Sequence, residues 1–389
     1  MLNLKKIYLD YAATTPVAPE VIETLITHFR ATDNFANPSS IQHGFGETAQ
    51  SLVENARQQI ATHLNCNAKD LIFTSGATEA NNFVLKSVAT RFKEFGQHLI
   101  TSATEHKSVL DCCRFLETQG FQVTYLKPDN VGLIDLEELA DSITENTLLV
   151  SIMHVNNETG VIQPIEKIAE ITQQRGVFFH VDASQSVGKL EINLAKTPIS
   201  FLSFSTHKFY GVKGIGGVFA RNCAKLKLPP LIHGGGQENG LRSGTLPTHQ
   251  ILAMATALEL AYQNQTNDYQ HAIALKQRLL SRLQDLEGVT LNGSQTATLP
   301  NIVNLSFEGV SADSLIIALR DDVAISSGSA CNSGAMEASY VLRAMGIEGE
   351  QLYGAVRLSF GRYTTLDDMD YAAQRLCDEV TRLRQLTKN

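Results

Sequence analysis

The chemistry this chain could carry is concentrated in a few short stretches. The run Phe201-Leu-Ser-Phe-Ser-Thr-His-Lys208 delivers Ser205, Thr206, His207 and Lys208 into one loop, ahead of Gly214-Ile-Gly-Gly217. A lysine beside apolar side chains has its ammonium pKa pushed down by desolvation, and the amine so exposed can form a Schiff base. A lone lysine is more readily a surface side chain that snorkels to water. The segment His180-Val-Asp-Ala-Ser-Gln185 puts Asp182 directly after a buried strand, where a carboxylate is costly unless it has a cationic or hydrogen-bonding partner. Asp182 could cap the next helix or pair with a protonated ring nitrogen. In Phe73-Thr-Ser-Gly-Ala-Thr-Glu-Ala-Asn-Asn82 a strand ends in a small-residue turn and opens a helix, so bare N–H groups and the Thr78 hydroxyl could hold a phosphate. Taken alone, that turn reads as an ordinary helix start.

The set changes the balance. A phosphate-ready turn, a post-strand Asp182 and a post-strand Lys208 are what pyridoxal phosphate needs: the aspartate keeps the pyridine nitrogen protonated as an electron sink, and the lysine holds the aldehyde. A fourth stretch, Ser326-Ser-Gly-Ser-Ala-Cys-Asn-Ser-Gly334, surrounds Cys331 with small and polar residues that bury it poorly, so its thiolate would be available as a nucleophile. The other five cysteines, Cys66, Cys112, Cys113, Cys223 and Cys377, have helical or apolar-flanked settings and read as small hydrophobes. No C-x-x-C or H-x-x-x-H spacing occurs, so no stable metal site is expected.

These residues need a scaffold. Strand-like runs at 71–74, 98–102, 147–153 and 177–181 alternate with amphipathic helical stretches, a βαβ rhythm that implies an α/β fold with a mainly parallel sheet covered on both faces. Ligands then sit beyond the carboxyl ends of the strands. From Leu246 to about Leu286 the pattern is helical, and a polar stretch near Gln263 to Gln270 suggests two helices and a domain boundary near 260. Further strands at 301–307 and 356–359, a helix from Asp313 to Arg320 and a terminal helix from Leu366 to Leu386 read as a smaller α+β unit. Lys and Arg number 32 against 40 Asp and Glu, a net charge of −8, which argues against a nucleic-acid partner. No apolar run reaches the ~18 residues of a membrane helix. The first ten residues lack the pattern of a secretory leader, so a cytoplasmic protein with free thiols is expected.

Nine segments carry a family resemblance: Tyr8-Leu-Asp-Tyr-Ala-Ala-Thr-Thr-Pro16, Asn37-Pro-Ser-Ser40, Thr74-Ser-Gly-Ala-Thr-Glu79, Thr104-Glu-His106, His154-Val-Asn-Asn-Glu158, Val181-Asp-Ala-Ser-Gln185, His207-Lys208, Arg242-Ser-Gly-Thr245 and Ser326-Ser-Gly-Ser-Ala-Cys331. Nearly end to end, the chain resembles the class V aminotransferase family of fold-type I pyridoxal-phosphate enzymes, and within it the NifS/IscS type of cysteine desulfurase. The resemblance implies a large domain, 16–260, with a seven-stranded sheet, and a small domain made of 1–15 and 261–389 that carries the Cys331 loop. It makes Lys208 the cofactor lysine and Asp182 the pyridinium partner, with His106 stacked on the ring and moving protons. Gln185 and Asn157 would bond near the phenolic oxygen, Ala77, Thr78, Ser205, Thr206 and His207 would hold the phosphate, and Asn157 and Arg357 would bind the substrate carboxylate. Thr245 would reach the neighbouring subunit's phosphate, which implies a homodimer. Cys331 would take the sulfur of L-cysteine as a persulfide, leave L-alanine, and pass the sulfur to an iron–sulfur scaffold or another acceptor protein; at most it would ligate iron transiently with such a partner. The Ser-Ser-Gly-Ser-Ala-Cys form is similar to the longer-loop group I enzymes. A selenocysteine or cystine lyase, or an aminotransferase, is the alternative on the same fold.

Two positions depart from the family pattern. Thr206 stands where a glycine is usual and is expected to strain or reshape the phosphate loop, because a β-branched residue resists angles that glycine allows. Val212 stands where proline is common. The chain ends at Asn389 without the tail that IscS-type enzymes use to dock a scaffold, so docking by that route is not expected.

Overall fold

A computed structural model describes residues 6–327 and 338–387 of the chain. The first strand is the short β1 (Ile7–Tyr8). A seven-stranded sheet follows from β2 (Leu71–Thr74), β3 (His98–Ser102), β4 (Gln122–Leu126), β5 (Thr147–Ser151), β6 (Phe178–Asp182), β7 (Phe201–Ser205) and β8 (Gly216–Ala220), in the order β2-β8-β7-β6-β5-β3-β4. Strands β4, β3, β5, β6 and β7 are parallel, and β8 runs antiparallel to both β7 and β2.

The strand sequences explain this placement. Leu71, Phe73, Leu202 and Phe204 belong to one apolar core, while their neighbours Ile72 and Phe201 belong to another on the opposite face. With both alternating faces apolar, such strands are satisfied only inside a sheet covered on both sides. One cover is the helix pair Ala77–Phe92 and Lys107–Thr118, through Phe83, Val84 and Val109. The other is built from the helices Gly44–Leu64 and Ile165–Gln174, through Ile60 and Ile168, and from the first part of Thr248–Leu283. Because β2 runs in the same sense as β7, the carboxyl ends of β2, β3, β5, β6 and β7 all open on one edge.

A second sheet joins β9 (Val289–Asn292), β10 (Ile302–Phe307) and β12 (Ala355–Ser359) antiparallel in the order β12-β10-β9, and β11 (Val323–Ala324) pairs parallel with β1. Its core contains Leu305, Phe307, Leu315, Leu358 and Leu376 together with Ile7 and Leu9 from the start of the chain. The polar stretch at 263–270, which suggested a break between two helices, lies inside one continuous helix, Thr248–Leu283. Ile251, Met254 and Leu258 of that helix enter the first core, and Leu275, Leu279 and Leu283 enter the second. The intervening Gln and Asn residues include no Gly or Pro, so they carry the helix across the gap at small cost in propensity. Strand β4, which the sequence pattern did not mark, has a partly exposed Gln-Val-Thr-Tyr face because it lies at the sheet edge. Among the described residues, no helix is long and apolar enough to cross a membrane.

Candidate active site

Residues that follow the carboxyl ends of β2, β3, β5, β6 and β7 line one cleft of about 510 Å³, which Arg357 of β12 and Ala12 and Ala13 complete. Parallel strands make this convergence unavoidable, since each strand hands its next residues to the same edge. Ala77, Thr78, His106, Asn157, Asp182, Gln185, Ser205, His207, Lys208 and Arg357, all expected from the sequence, are brought together here.

Lys208 Nζ donates to the carbonyl oxygens of Ala12 and Ala13, both at 2.7 Å. Burial and the nearby Arg357 guanidinium pull its pKa down to about 8, against the opposing attraction of Asp182 and Asp10. An amine with that pKa is a usable nucleophile near neutrality. Asp182, last residue of β6, accepts from Asn81 Nδ2 at 2.7 Å on one oxygen and from the Ser184 backbone N–H and hydroxyl at 3.0 and 2.5 Å on the other. Neither of its oxygens is left bare, which is how a carboxylate survives at the end of a buried strand.

The same Asn81 amide also donates to Ser108 Oγ at 2.9 Å, and Ser108 Oγ lies 2.8 Å from His106 Nδ1. His106 caps the helix Lys107–Thr118, its Nδ1 accepting the Ser108 backbone N–H at 3.1 Å. A backbone donor on Nδ1 leaves the neutral ring's proton on Nε2. Burial lowers the His106 pKa, so the neutral ring is favoured at physiological pH.

The helix Ala77–Phe92 starts behind Gly76 with no side-chain cap, and its first residues Ala77 and Thr78 line the cleft together with Ser205 and His207. Uncapped N–H groups and the helix dipole suit an anion. Burial and the surrounding Lys208, Lys213 and Lys189 cations push the His207 pKa down to about 4, so its ring is neutral. Close approach of β8 shapes the turn: a Cβ on Gly216 would stand 2.5 Å from Phe204 O and 2.7 Å from Gly76 Cα. Glu79 accepts the Ser75 N–H at 2.8 Å and is itself held by Arg242 at 2.8 Å.

Arg357, buried on β12, donates to Asn157 O at 2.8 Å and to Asp10 Oδ1 at 2.7 Å. Its Nε and the Asn157 Oδ1 are buried without a hydrogen-bond partner. Both residues also line the cleft.

Other expectations fare differently. Thr206 does not line the cleft: its side chain is buried, its Oγ1 has no hydrogen-bond partner, and its Cγ2 occupies the space a side chain at Gly211 would need. The expected strain at Thr206 is also absent, because it takes no positive φ; Tyr210, at φ 66°, is the residue of this loop that does. The β-branched side chain fits because it packs against Gly211 rather than into the cleft. Thr245 is exposed and outside the lining of the cleft within one chain. Cys331 lies outside the described residues. The described flanks of its segment both meet the cleft: Ser326 and Arg357 exchange backbone hydrogen bonds of 3.1 and 2.6 Å, Ser339 Oγ donates to Glu158 at 2.6 Å, and Tyr340 OH donates to Glu105 O at 2.8 Å. Cys112, Cys113 and Cys223 are buried, whereas Cys66 and Cys377 are only partly so.

Several participants were not read from the sequence. The Ala12 and Ala13 carbonyls carry no sequence signal, since any residue supplies one. Asn81 had a signal: it is a fully buried amide among Ala80, Phe83 and Val84 on an otherwise apolar helix face. Asp10, the partner of Arg357, lies 347 residues away in sequence.

Comparison with known proteins places this geometry. Residues 7–372 match the aminotransferase class-V family. The chain belongs to that family. It is 48% identical over 381 residues to the cysteine desulfurase IscS of Vibrio vulnificus strain YJ016 and to that of Pseudomonas putida strain W619, in each case over 98% of this chain and 94% of the relative. Among solved structures, a NifS-like protein superposes with a TM-score of 0.90 at 36% identity, covering 97% of this chain and all of that one. SspA in complex with cysteine superposes at 0.82 with 38% identity, covering 92% of this chain and all of that one. Class-V aminotransferases work with pyridoxal 5′-phosphate. The class-V site described above fits that group on its own chemistry, with an uncapped helix N-terminus for the phosphate, a carboxylate for the ring nitrogen and a low-pKa amine for the aldehyde.

Proposed function

We propose that the protein is a pyridoxal-phosphate-dependent cysteine desulfurase that converts L-cysteine to L-alanine and takes the sulfur on Cys331 as a persulfide. The observation that carries the reading is the meeting of Lys208, Asp182, the uncapped helix at Ala77 and Arg357 in one cleft, with both described flanks of the Cys331 segment tied to its walls. Its support from relatives is the identity to IscS enzymes and the likeness to a structure holding cysteine.

Bound pyridoxal phosphate would supply the electron sink that stabilises a carbanion at the substrate Cα. Lys208 would hold the cofactor through its amine and, once displaced by substrate, stand ready to take and return the Cα proton. His106, with its proton on Nε2, would share that proton traffic, a role typically worth about 10²–10⁴-fold in general acid–base catalysis. Asp182, held by Asn81 and Ser184, would keep the pyridine nitrogen protonated. Gln185 and Asn157 would bind near the phenolic oxygen. Arg357, which lines the cleft, would bind the substrate carboxylate in the fork geometry of a guanidinium. The Cys331 thiolate attacks the cysteine sulfur, the carbon–sulfur bond breaks, and the balance is cysteine plus thiol giving alanine plus persulfide.

The same reading assigns Thr245 to a neighbouring subunit's phosphate in a homodimer, and hands the sulfur to an iron–sulfur scaffold or another acceptor protein. It divides the chain into a large unit, 16–260, and a small one, 1–15 with 261–389, a division supported by the two separate cores and by the burial of Ile7 and Leu9 in the second. It places the enzyme in the reducing cytoplasm, in keeping with five free thiols among the described residues.

The test is release of sulfide and alanine from L-cysteine in the presence of a reductant, with the visible spectrum recorded, for the wild type and Cys331→Ala. Equimolar products from the wild type alone support the desulfurase. A yellow, cysteine-responsive protein whose output ignores the substitution would instead identify a lyase or aminotransferase, and a protein that takes up no cofactor would refute the reading outright.

A further inference from the structure

Within electrostatic reach of Lys208 stands a second lysine to which the chemistry above gives no part. Lys189 Nζ donates to Gln185 Oε1 at 3.0 Å. On its other side, Gln185 donates from Nε2 to Ala12 O at 2.8 Å, the same carbonyl that accepts Lys208 Nζ. The four groups form one line from the rear of the turn at 183–190 to the cofactor lysine. Gln185 is buried and lines the cleft.

A glutamine amide has two faces of similar shape and opposite polarity, an oxygen that accepts and an NH₂ that donates. Nothing in the covalent structure of Gln185 says which should point forward. An ammonium has three donors and no acceptor, so it takes the oxygen. Turned the other way, the amide would aim its NH₂ at the Lys189 ammonium and its oxygen at the Ala12 carbonyl, replacing two hydrogen bonds by two repulsions. Gln185 and Lys189 are four residues apart in a tightly turned segment, a spacing that brings side chains onto one face of a helical turn.

We propose that Lys189 is a positioning residue that fixes the Gln185 amide so that its donor, not its acceptor, faces the cleft. The inference deepens the proposed function and rests on the cleft being the pyridoxal-phosphate site. Its consequence is chemical: a fixed donor at that wall favours an anionic oxygen of the bound group and repels none. Lys189 also keeps Ala12 O satisfied through Gln185 when Lys208 leaves that carbonyl to react.

A double-mutant cycle on cofactor binding separates this role from packing. Dissociation constants for pyridoxal 5′-phosphate are measured with the cofactor-stripped full chain for the wild type, Lys189→Met, Gln185→Leu, the double variant and Lys189→Arg. Thermal midpoints confirm that each variant is folded. Burial and the neighbouring Lys208 lower the Lys189 pKa to about 7, so binding is measured at a pH about one unit below that value, where the ammonium form dominates. Lys189→Met is expected to weaken binding about three- to tenfold, the range of one oriented hydrogen bond. The double variant should bind no worse than Gln185→Leu alone, and Lys189→Arg, a donor-only side chain, should recover most of the loss. The same variants should reproduce this pattern in the pH at which the bound cofactor's visible absorption titrates. Additive losses in the double variant, or wild-type binding by Lys189→Met, would overturn the proposal while leaving the cofactor site standing. A wild-type chain that binds no cofactor would remove both.

Discussion

The low pKa of Lys208 has a measurable consequence. With a pKa of about 8 in place of 10.5, about one amine in eleven is free near pH 7, roughly 300 times the free fraction of an unperturbed lysine. When pyridoxal 5′-phosphate is mixed with cofactor-stripped enzyme, the rate of covalent capture, followed by visible absorbance, should rise with pH and bend to a plateau near 8. Two substitutions test the cause. Arg357 disfavours the Lys208 ammonium, so Arg357→Met should move the bend upward and slow capture near pH 7; Asp10 favours it, so Asp10→Asn should move the bend downward and speed capture there. Lys208→Arg should show no capture at any pH, since a guanidinium does not deprotonate in this range. A wild-type rate still rising tenfold per unit well above pH 8, or a downward shift in Arg357→Met, would refute the reasoning that burial and a neighbouring cation set this amine.

Arg357→Lys keeps the charge but loses the fork, and should raise the KM for L-cysteine about tenfold or more while cofactor uptake changes little, as steady-state kinetics beside spectral titration would show. Asp182→Asn removes a carboxylate held by three donors, and should weaken pyridoxal-phosphate binding about 10- to 100-fold and abolish sulfide release, measured by equilibrium binding and product assay. Gly216→Ala puts a methyl between Phe204 O and Gly76 Cα, and should cost about 1–3 kcal/mol of stability by denaturant unfolding and loosen cofactor binding at the displaced turn. Gly211→Ala should destabilise the chain in the same assay and be rescued in part by Thr206→Gly, because the Thr206 methyl is the nearest of the groups that fill the site, with Ala257 Cβ and the Thr206 carbonyl behind it.

The sequence by itself determined the scaffold and many of the residues that line the cleft. Apolar strand runs alternating with amphipathic helices leave few arrangements open, and the runs at 71–74 and 98–102 match strands β2 and β3 residue for residue. The positions of Asp182 at the end of β6 and Lys208 just beyond β7 were legible because a polar residue at the end of a buried run must be met by something. Local pattern misjudged the centre of Thr248–Leu283, where polarity suggested an end but two cores share one helix. It also misjudged Thr206, since whether a β-branched side chain points into a loop or away from it depends on neighbours such as Gly211 that only folding supplies.

What only the tertiary structure decided is how the groups are held. The two carbonyls on Lys208 come from residues nearly two hundred positions earlier, the carboxylate on Arg357 from the first strand region, and the path from Asp182 through Asn81 and Ser108 to His106 crosses three segments. Sequence spacing encodes periodicity, and periodicity sets which face a residue occupies. Hydrogen bonds act over about 3 Å between groups the chain brings together from any distance, so which donor meets which acceptor is fixed only when the sheet closes and Asp10, Ala12 and Ala13 are laid across its carboxyl edge.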